Sequence, residues 1–306
     1  MSSEKLSLSI CITSLAATID ELKKIESILP ILNKYFEVKL YKDLIASDIF
    51  GSQPVQERVD SINWALKNAD IVMAYNGGFN SIELFDQFAD IESLKQGIFV
   101  GYSDNTLLAN GLPATGKSRG WLGPMMASFI KYPESIDLWA KNIIAWYTDD
   151  FALINQQYNQ FDIKVVNPGA MEGKVWGGNC YSFDLLQGTG FCPKFTEPFI
   201  YILEGEDFIT DKSKVWQDTI RNLDSIMLQP GARENMRGLL VGKFPRSYKL
   251  NTEELMASIA KRRYLTTIPL IYDFPRGYSQ PSLALPIGEK LLIEANIDNT
   301  VNINRL

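Results

Sequence analysis

Gly97-Ile98-Phe99-Val100-Gly101-Tyr102-Ser103-Asp104-Asn105-Thr106-Leu107-Leu108-Ala109-Asn110 is the stretch from which the fold can be read. Ile98, Phe99 and Val100 form a short apolar run closed by glycine on both sides, which predicts a buried strand. Ser103, Asp104 and Asn105 then supply the polar residues that open helices, and residues 106–109 are compatible with the helix itself. A strand that turns at once into a helix lifts the side chain at the turn above the carboxyl edge of the sheet. It also aims the unbonded N–H groups of the first helical turn at the same spot. An attacking serine with an oxyanion site beside it needs that geometry, so Ser103 is a candidate nucleophile. Read locally, a plain helix cap is the commoner explanation of the same serine.

The flanking sequence repeats the pattern. Residues 6–13 and 36–41 read as strands, as does the run 70–75, and each is separated from the next by residues with helical spacing at 18–35, 55–68 and 81–88. Strands alternating with helices predict a parallel, doubly wound sheet covered on both faces, an α/β domain over residues 1–147. Residues 111–123 read as a loop, and 135–147 as a further helix. From 148 to 168 the chain turns polar and aperiodic, which marks a connection. Beyond it the strands shorten, at 171–176, 199–204, 238–244, 268–273 and 290–295, with helices at 182–186 and 214–227. That mix predicts a second, α+β domain over 169–306 with a curved or barrel-like sheet.

Composition narrows the chemistry. The 306 residues are 46% hydrophobic with a formal charge of −6, so a globular protein is expected, with neither nucleic acid nor an anionic membrane as partner. No apolar run approaches the roughly 20 residues that span a bilayer, and residues 1–5 lead straight into a strand. Three cysteines fit a reducing compartment, hence a cytoplasmic protein. The chain has no histidine at all, which excludes an ordinary Ser-His-Asp/Glu triad and any histidine-based metal site. No cofactor motif is present.

Two further turns attract attention. Gly77-Gly78 follows a strand and precedes a helix, as Ser103 does, so both turns fall at the sheet edge where ligands sit. The bland alternative is a turn that needs positive φ. Glu204 and Glu206 end an apolar strand in a burst of carboxylates that includes Asp207; such a cluster can orient a base, though a solvated turn is the commoner reading. Trp121, Trp176 and Tyr181 could line a pocket or simply fill the core.

Taken in order, Tyr75-Asn-Gly-Gly-Phe-Asn80, Phe99-Val-Gly-Tyr-Ser-Asp104, Leu122-Gly-Pro-Met125, Gly173-Lys-Val-Trp-Gly-Gly-Asn179, Ile202-Leu-Glu204, Arg237-Gly-Leu-Leu-Val-Gly-Lys-Phe244 and Leu285-Pro-Ile-Gly288 resemble the LD-carboxypeptidase family, which includes the microcin C immunity proteins. The resemblance implies a metal-free serine hydrolase, usually a homodimer, that cleaves an amide next to a free carboxylate. Its substrates would be murein tetrapeptides or the acyl-sulfamoyl adenylate of processed microcin C. It implies Ser103 as nucleophile, the N–H groups of Gly78 and Asp104 as oxyanion hole, Glu204 as the carboxylate that orients the base, and Asn76, Gly77 and Phe79 against the substrate. The chain departs from the family at two points. Tyr278 stands in Arg276-Gly-Tyr-Ser-Gln-Pro281 where the family has its histidine, and Asn76 stands where the family commonly has arginine. Two functions therefore follow from the same residues: a hydrolase with an altered triad, or a catalytically silent binder of a peptide or nucleotide-peptide ligand.

Overall fold

Strand β1 (Leu6–Cys11) is buried over its last four residues and pairs in parallel with β2 (Phe36–Leu40) on one side and β3 (Ile71–Ala74) on the other. The intervening α1 (Ile19–Leu32) begins at a capping box: the Thr18 hydroxyl accepts from the Glu21 N–H, and the Glu21 carboxylate accepts from the Thr18 N–H. Helix α1 buries Ile25, Ile28 and Leu32; α2 (Val55–Asn68) buries Val59, Ile62, Ala65 and Leu66. The computed structural model describes residues 5–91, 97–206, 215–244, 252–278 and 280–306; Asp207, Lys214 and Ser279 lie outside them.

After β3, the helical segment expected at 81–88 is a 3₁₀ helix, Ser81–Asp90. Strand β4 (Ile98–Gly101) runs into a 3₁₀ turn at Ser103–Asn105 and then α3 (Thr106–Ala114), as the opening stretch predicts. Residues 111–123 are not the expected loop, because β5 (Arg119–Leu122) lies within them, parallel to β4. Gly120 hides this strand from propensity reasoning. A Cβ there would overlap the Ala109 carbonyl oxygen, so glycine lets α3 close onto the strand. These five strands of the first sheet thus order as β2-β1-β3-β4-β5, all parallel.

Helices α4 (Met126–Lys131) and α5 (Ile136–Tyr147) follow. The stretch 148–168 is more ordered than its polarity suggests. It holds α6 (Phe151–Asn159), capped by the Asp150 carboxylate on the Leu153 N–H and buried through Ile154 and Tyr158, and β6 (Lys164–Asn167). The second sheet continues with β7 (Gly169–Asn179), α7 (Cys180–Asp184), β8 (Phe199–Glu204), α8 (Val215–Ile226), α9 (Ala232–Asn235), β9 (Met236–Lys243), α10 (Thr252–Ala260) and β10 (Leu270–Gly277). Strands β7 to β10 are parallel neighbours. Strand β6 closes one edge antiparallel, while β12 (Lys290–Ala295) and β13 (Val301–Arg305) form the other. This seven-stranded sheet curls into a half-barrel, in line with the expected barrel-like domain. Strand β11 (Leu285–Ile287) crosses back and pairs antiparallel with β5, on the edge of the first sheet, where Pro286 is tolerated.

Candidate active site

Ser103 is the first residue of the turn after β4 and holds φ at 59°, the left-handed region that a serine adopts only at a cost. Among the described residues, neither Tyr102 nor Asn105 makes a side-chain cap bond at this helix start. The Ser103 hydroxyl meets Tyr278, whose Oη lies 2.6 Å from Ser103 Oγ. The candidate nucleophile and the residue in the family's histidine position are 175 residues apart in sequence and in direct contact in space.

The glycine turn backs onto the same point. A Cβ on Gly77 would lie 3.2 Å from Ser103 Cβ, so the turn abuts the serine. Gly78 has φ 154° and its Cβ would lie 2.9 Å from Leu15 Cγ, which explains the second glycine. Among the described residues, no acceptor takes the Gly78 N–H, whereas the Gly77 N–H donates to Asn76 Oδ1 at 2.8 Å. Asn76, Gly77, Gly78, Ser103 and Tyr278 all line one cavity of about 440 Å³. Three other expected residues do not line it. Asp104 turns its carboxylate to the Ser81 N–H at 2.9 Å, Phe79 is 71% exposed on the outside of the turn, and Glu204 is fully buried.

Glu204 has a partner that the sequence reading did not foresee. Its Oε1 accepts from Arg276 Nε at 3.0 Å, with Arg276 Nη2 at the same distance, and both side chains are fully buried. Among the described residues no hydrogen bond links Glu204 to Tyr278, and Glu204 Oε2 is buried without a hydrogen-bond partner. Burial pushes the Glu204 carboxyl above its ordinary range while Arg276 pulls it back. The polar group that does reach Tyr278 is Asn179. Its Oδ1 is fixed by the Ser182 N–H at 2.9 Å, which turns Nδ2 toward Glu206 Oε2 (2.9 Å), the Gly205 carbonyl (3.2 Å) and Tyr278 Oη (3.3 Å). Asn179 sits in register with Glu204 across β7 and β8, so the strand-end rule that picked out Glu204 could have found it.

Burial, and next the Glu206 charge, push the Tyr278 phenol well above its ordinary range. The Tyr102 ring packs against Tyr278 edge-on, with centroids 5.6 Å apart. Lys24, from α1, and Lys131, from α4, stand on the cavity wall, and among the described residues neither is ion-paired. Glu21 also lines the cavity, but its carboxylate is engaged by its own helix cap. Trp121 and Trp176 belong to the core. Among the described residues, no cluster of three metal-ligating side chains occurs and no helix is long and apolar enough to cross a membrane.

A doubly wound sheet carrying a serine turn, joined to a curled sheet that delivers the facing residue, is the architecture of a two-domain serine-peptidase class. Models of the LD-carboxypeptidase N-terminal domain (residues 10–120) and C-terminal domain (172–293) both match, and the chain belongs to the LD-carboxypeptidase family. It is 28% identical over 267 residues to the putative carboxypeptidase YocD of Bacillus subtilis, covering 80% of each chain. It is 25% identical over 290 residues to the microcin C7 self-immunity protein MccF of Escherichia coli, covering 83% of this chain and 80% of that one. Its fold is shared with an MccF-like protein from Bacillus anthracis (TM-score 0.80, 22% identity, 99% and 97% of the two chains). MccF in complex with glutamyl sulfamoyl guanosine has a TM-score of 0.76 at 19% identity, again covering 99% and 97%.

Proposed function

We propose that this chain binds a small amide ligand bearing a free carboxylate, a muropeptide or a peptidyl or acyl nucleotide, over Ser103, and holds it far longer than it hydrolyses it. The observation that carries this reading is the 2.6 Å contact between Tyr278 and Ser103, where a serine hydrolase keeps its base. Attack by a serine requires a group that accepts its proton. A phenol with an ordinary pKa near 10 is only about 10⁻³ ionised at pH 7, and here it is pushed further up. Tyr278 therefore donates to Ser103, and the serine's own proton is left to face an acceptor oxygen of the ligand. In this reading the N–H groups of Gly78 and Asp104 hold the ligand's carbonyl oxygen. Asn76 and Gly77 line its path, Phe79 stands beyond the cavity wall, and Lys24 and Lys131 receive its anionic part. The protein would work in the cytoplasm as a homodimer, without a cofactor and apart from nucleic acid and membrane.

Ser103 keeps the left-handed backbone of a nucleophile turn, which supports residual hydrolysis through this same residue. Loss of a triad member leaves about 10³–10⁴-fold acceleration over water from the oxyanion site and binding alone. The test measures binding and single turnover of a murein tetrapeptide and of aspartyl sulfamoyl adenosine, with wild type beside Ser103→Ala. Binding of at least one ligand by both proteins, with turnover confined to the residual level in wild type and absent in Ser103→Ala, is the expected result. Turnover by wild type at the ordinary enzymatic rate of about 1–10³ s⁻¹ would overturn the reading.

A further inference from the structure

We propose that Arg276 disarms this site together with Tyr278, by occupying the Glu204 carboxylate and pinning the loop that carries position 278. The inference rests on the reading of the cavity as a serine-peptidase site without its base. Arg276 is fully buried at the end of β10, and its Nε and Nη1 are hydrogen-bonded while Nη2 stands only at ion-pair distance from Glu204. Nε and Nη2 face Glu204 Oε1, while Nη1 donates to Ser282 Oγ at 3.0 Å and to the Leu283 carbonyl. The Leu283 N–H returns to the Pro275 carbonyl at 2.8 Å, so the arginine spans a closed loop from inside. Tyr278 hangs from that loop two residues on, with its phenol against Ser103.

The consequence is that histidine at 278 alone would not rebuild a relay. An imidazole acts as base when a carboxylate holds its far nitrogen and balances the imidazolium charge. Here Oε1 of that carboxylate is already bonded to a guanidinium, whose own charge opposes a second cation nearby. The charged and titratable groups around position 278 are Glu204 and Glu206 at and just past the end of β8, Tyr102 after β4, Ser103, Arg276 on its own strand, and Glu21, Lys24 and Lys131 on the wall of the shared cavity. Glu206 and Tyr102 stay constant through the variants below, so their effects cancel in the comparison.

Because the chain has no histidine, Tyr278→His introduces a single imidazole whose titration can be followed by NMR without overlap. Wild type, Tyr278→His, Tyr278→His/Arg276→Met and Tyr278→His/Arg276→Lys are compared by that titration and by labelling with a fluorophosphonate. In the labelling step the Ser103 Oγ–P bond forms, the P–F bond breaks with fluoride leaving, and the serine proton passes to the imidazole in the histidine variants and to solvent in wild type. Tyr278→His and its Arg276→Lys partner should label within about tenfold of wild type, and the Arg276→Met combination about 100-fold faster, the low end of what a general base contributes. The histidine pKa should rise by about one unit or more when Arg276 becomes Met, and stay put when it becomes Lys. A Tyr278→His protein that by itself labels about 100-fold faster than wild type overturns the proposal, and this arm needs no change at Arg276, should that core variant fail to fold. An unchanged histidine pKa on loss of Arg276 overturns it too. Failure of the function reading shows elsewhere, as fast labelling of wild type.

Discussion

Tyr278 and Ser103 share one hydrogen bond in a nearly closed setting, Ser103 being 5% exposed, so each hydroxyl depends on the other. Removing either leaves the other without this bond, at a cost of about 1–3 kcal/mol, although Tyr278 Oη keeps its contact with Asn179. Ser103→Ala and Tyr278→Phe should therefore each lower stability by about that much, and the double variant should lose little more than either. In denaturant melts the resulting coupling energy is expected near 1 kcal/mol; strict additivity would mean that the two hydroxyls do not bond in solution. The Glu204–Arg276 pair is the larger single-residue commitment. Breaking a buried ion pair from one side typically costs about 3–5 kcal/mol because the remaining charge has no water to turn to.

At the scale of elements, the clearest pH-sensitive joint lies between α8 and the segment after α10. Arg262 Nε and Nη2 each donate to an Asp224 oxygen at 2.7 Å, and the Tyr264 hydroxyl adds a third bond at 2.8 Å. The Arg262 bonds first, then Tyr264, hold the Asp224 carboxyl below its ordinary 3.8 against the opposing effect of burial. A carboxyl depressed in the folded state binds its proton more readily in the unfolded one. Its contribution is thus complete above pH 3.8 and is lost as pH falls through the lower folded-state value. The pair is partly exposed, at 21% and 43%, which limits it to about 1 kcal/mol. Asp224→Asn should accordingly lower Tm at pH 7 by about 1–2 °C, with the gap to wild type closing in strong acid. A gap that persists unchanged at low pH would show that the loss has another origin.

Across the whole molecule, the two sheets do not belong cleanly to two halves of the chain. Strand β11 leaves the second half and completes the first sheet beside β5, and the Tyr158 hydroxyl of α6 donates to the Ala284 carbonyl just before β11, at 2.6 Å. Arg119, on β5, meets Glu289 just after β11, at 2.9 Å. Units joined by a lent strand unfold together, since the first sheet is not complete without β11 from the second half of the chain. A single calorimetric transition, with van't Hoff and calorimetric enthalpies in agreement, is expected; two resolved transitions would contradict it. The same exchange builds the cavity, because the first sheet supplies Ser103 and the glycine turn while the loop between β10 and β11 supplies Tyr278.

The sequence by itself determined the strand–turn–helix at Ser103, the parallel alternation around it, the second domain's curled sheet and the lack of any histidine. Those features are local: burial periodicity, glycines at sharp turns and the composition of a turn are written within a few residues. Strand β5 and strand β11 were not legible, since Gly120 and Pro286 disfavour strands and only neighbours in space explain them. Tertiary structure alone decided which polar groups meet. Glu204 reads as a strand-end carboxylate either way, but its use is set by an arginine 72 positions on, and that of Ser103 by a tyrosine 175 positions on. Periodicity reports that a residue is buried, while the charge or hydroxyl it is buried against depends on how distant strands are brought to one edge.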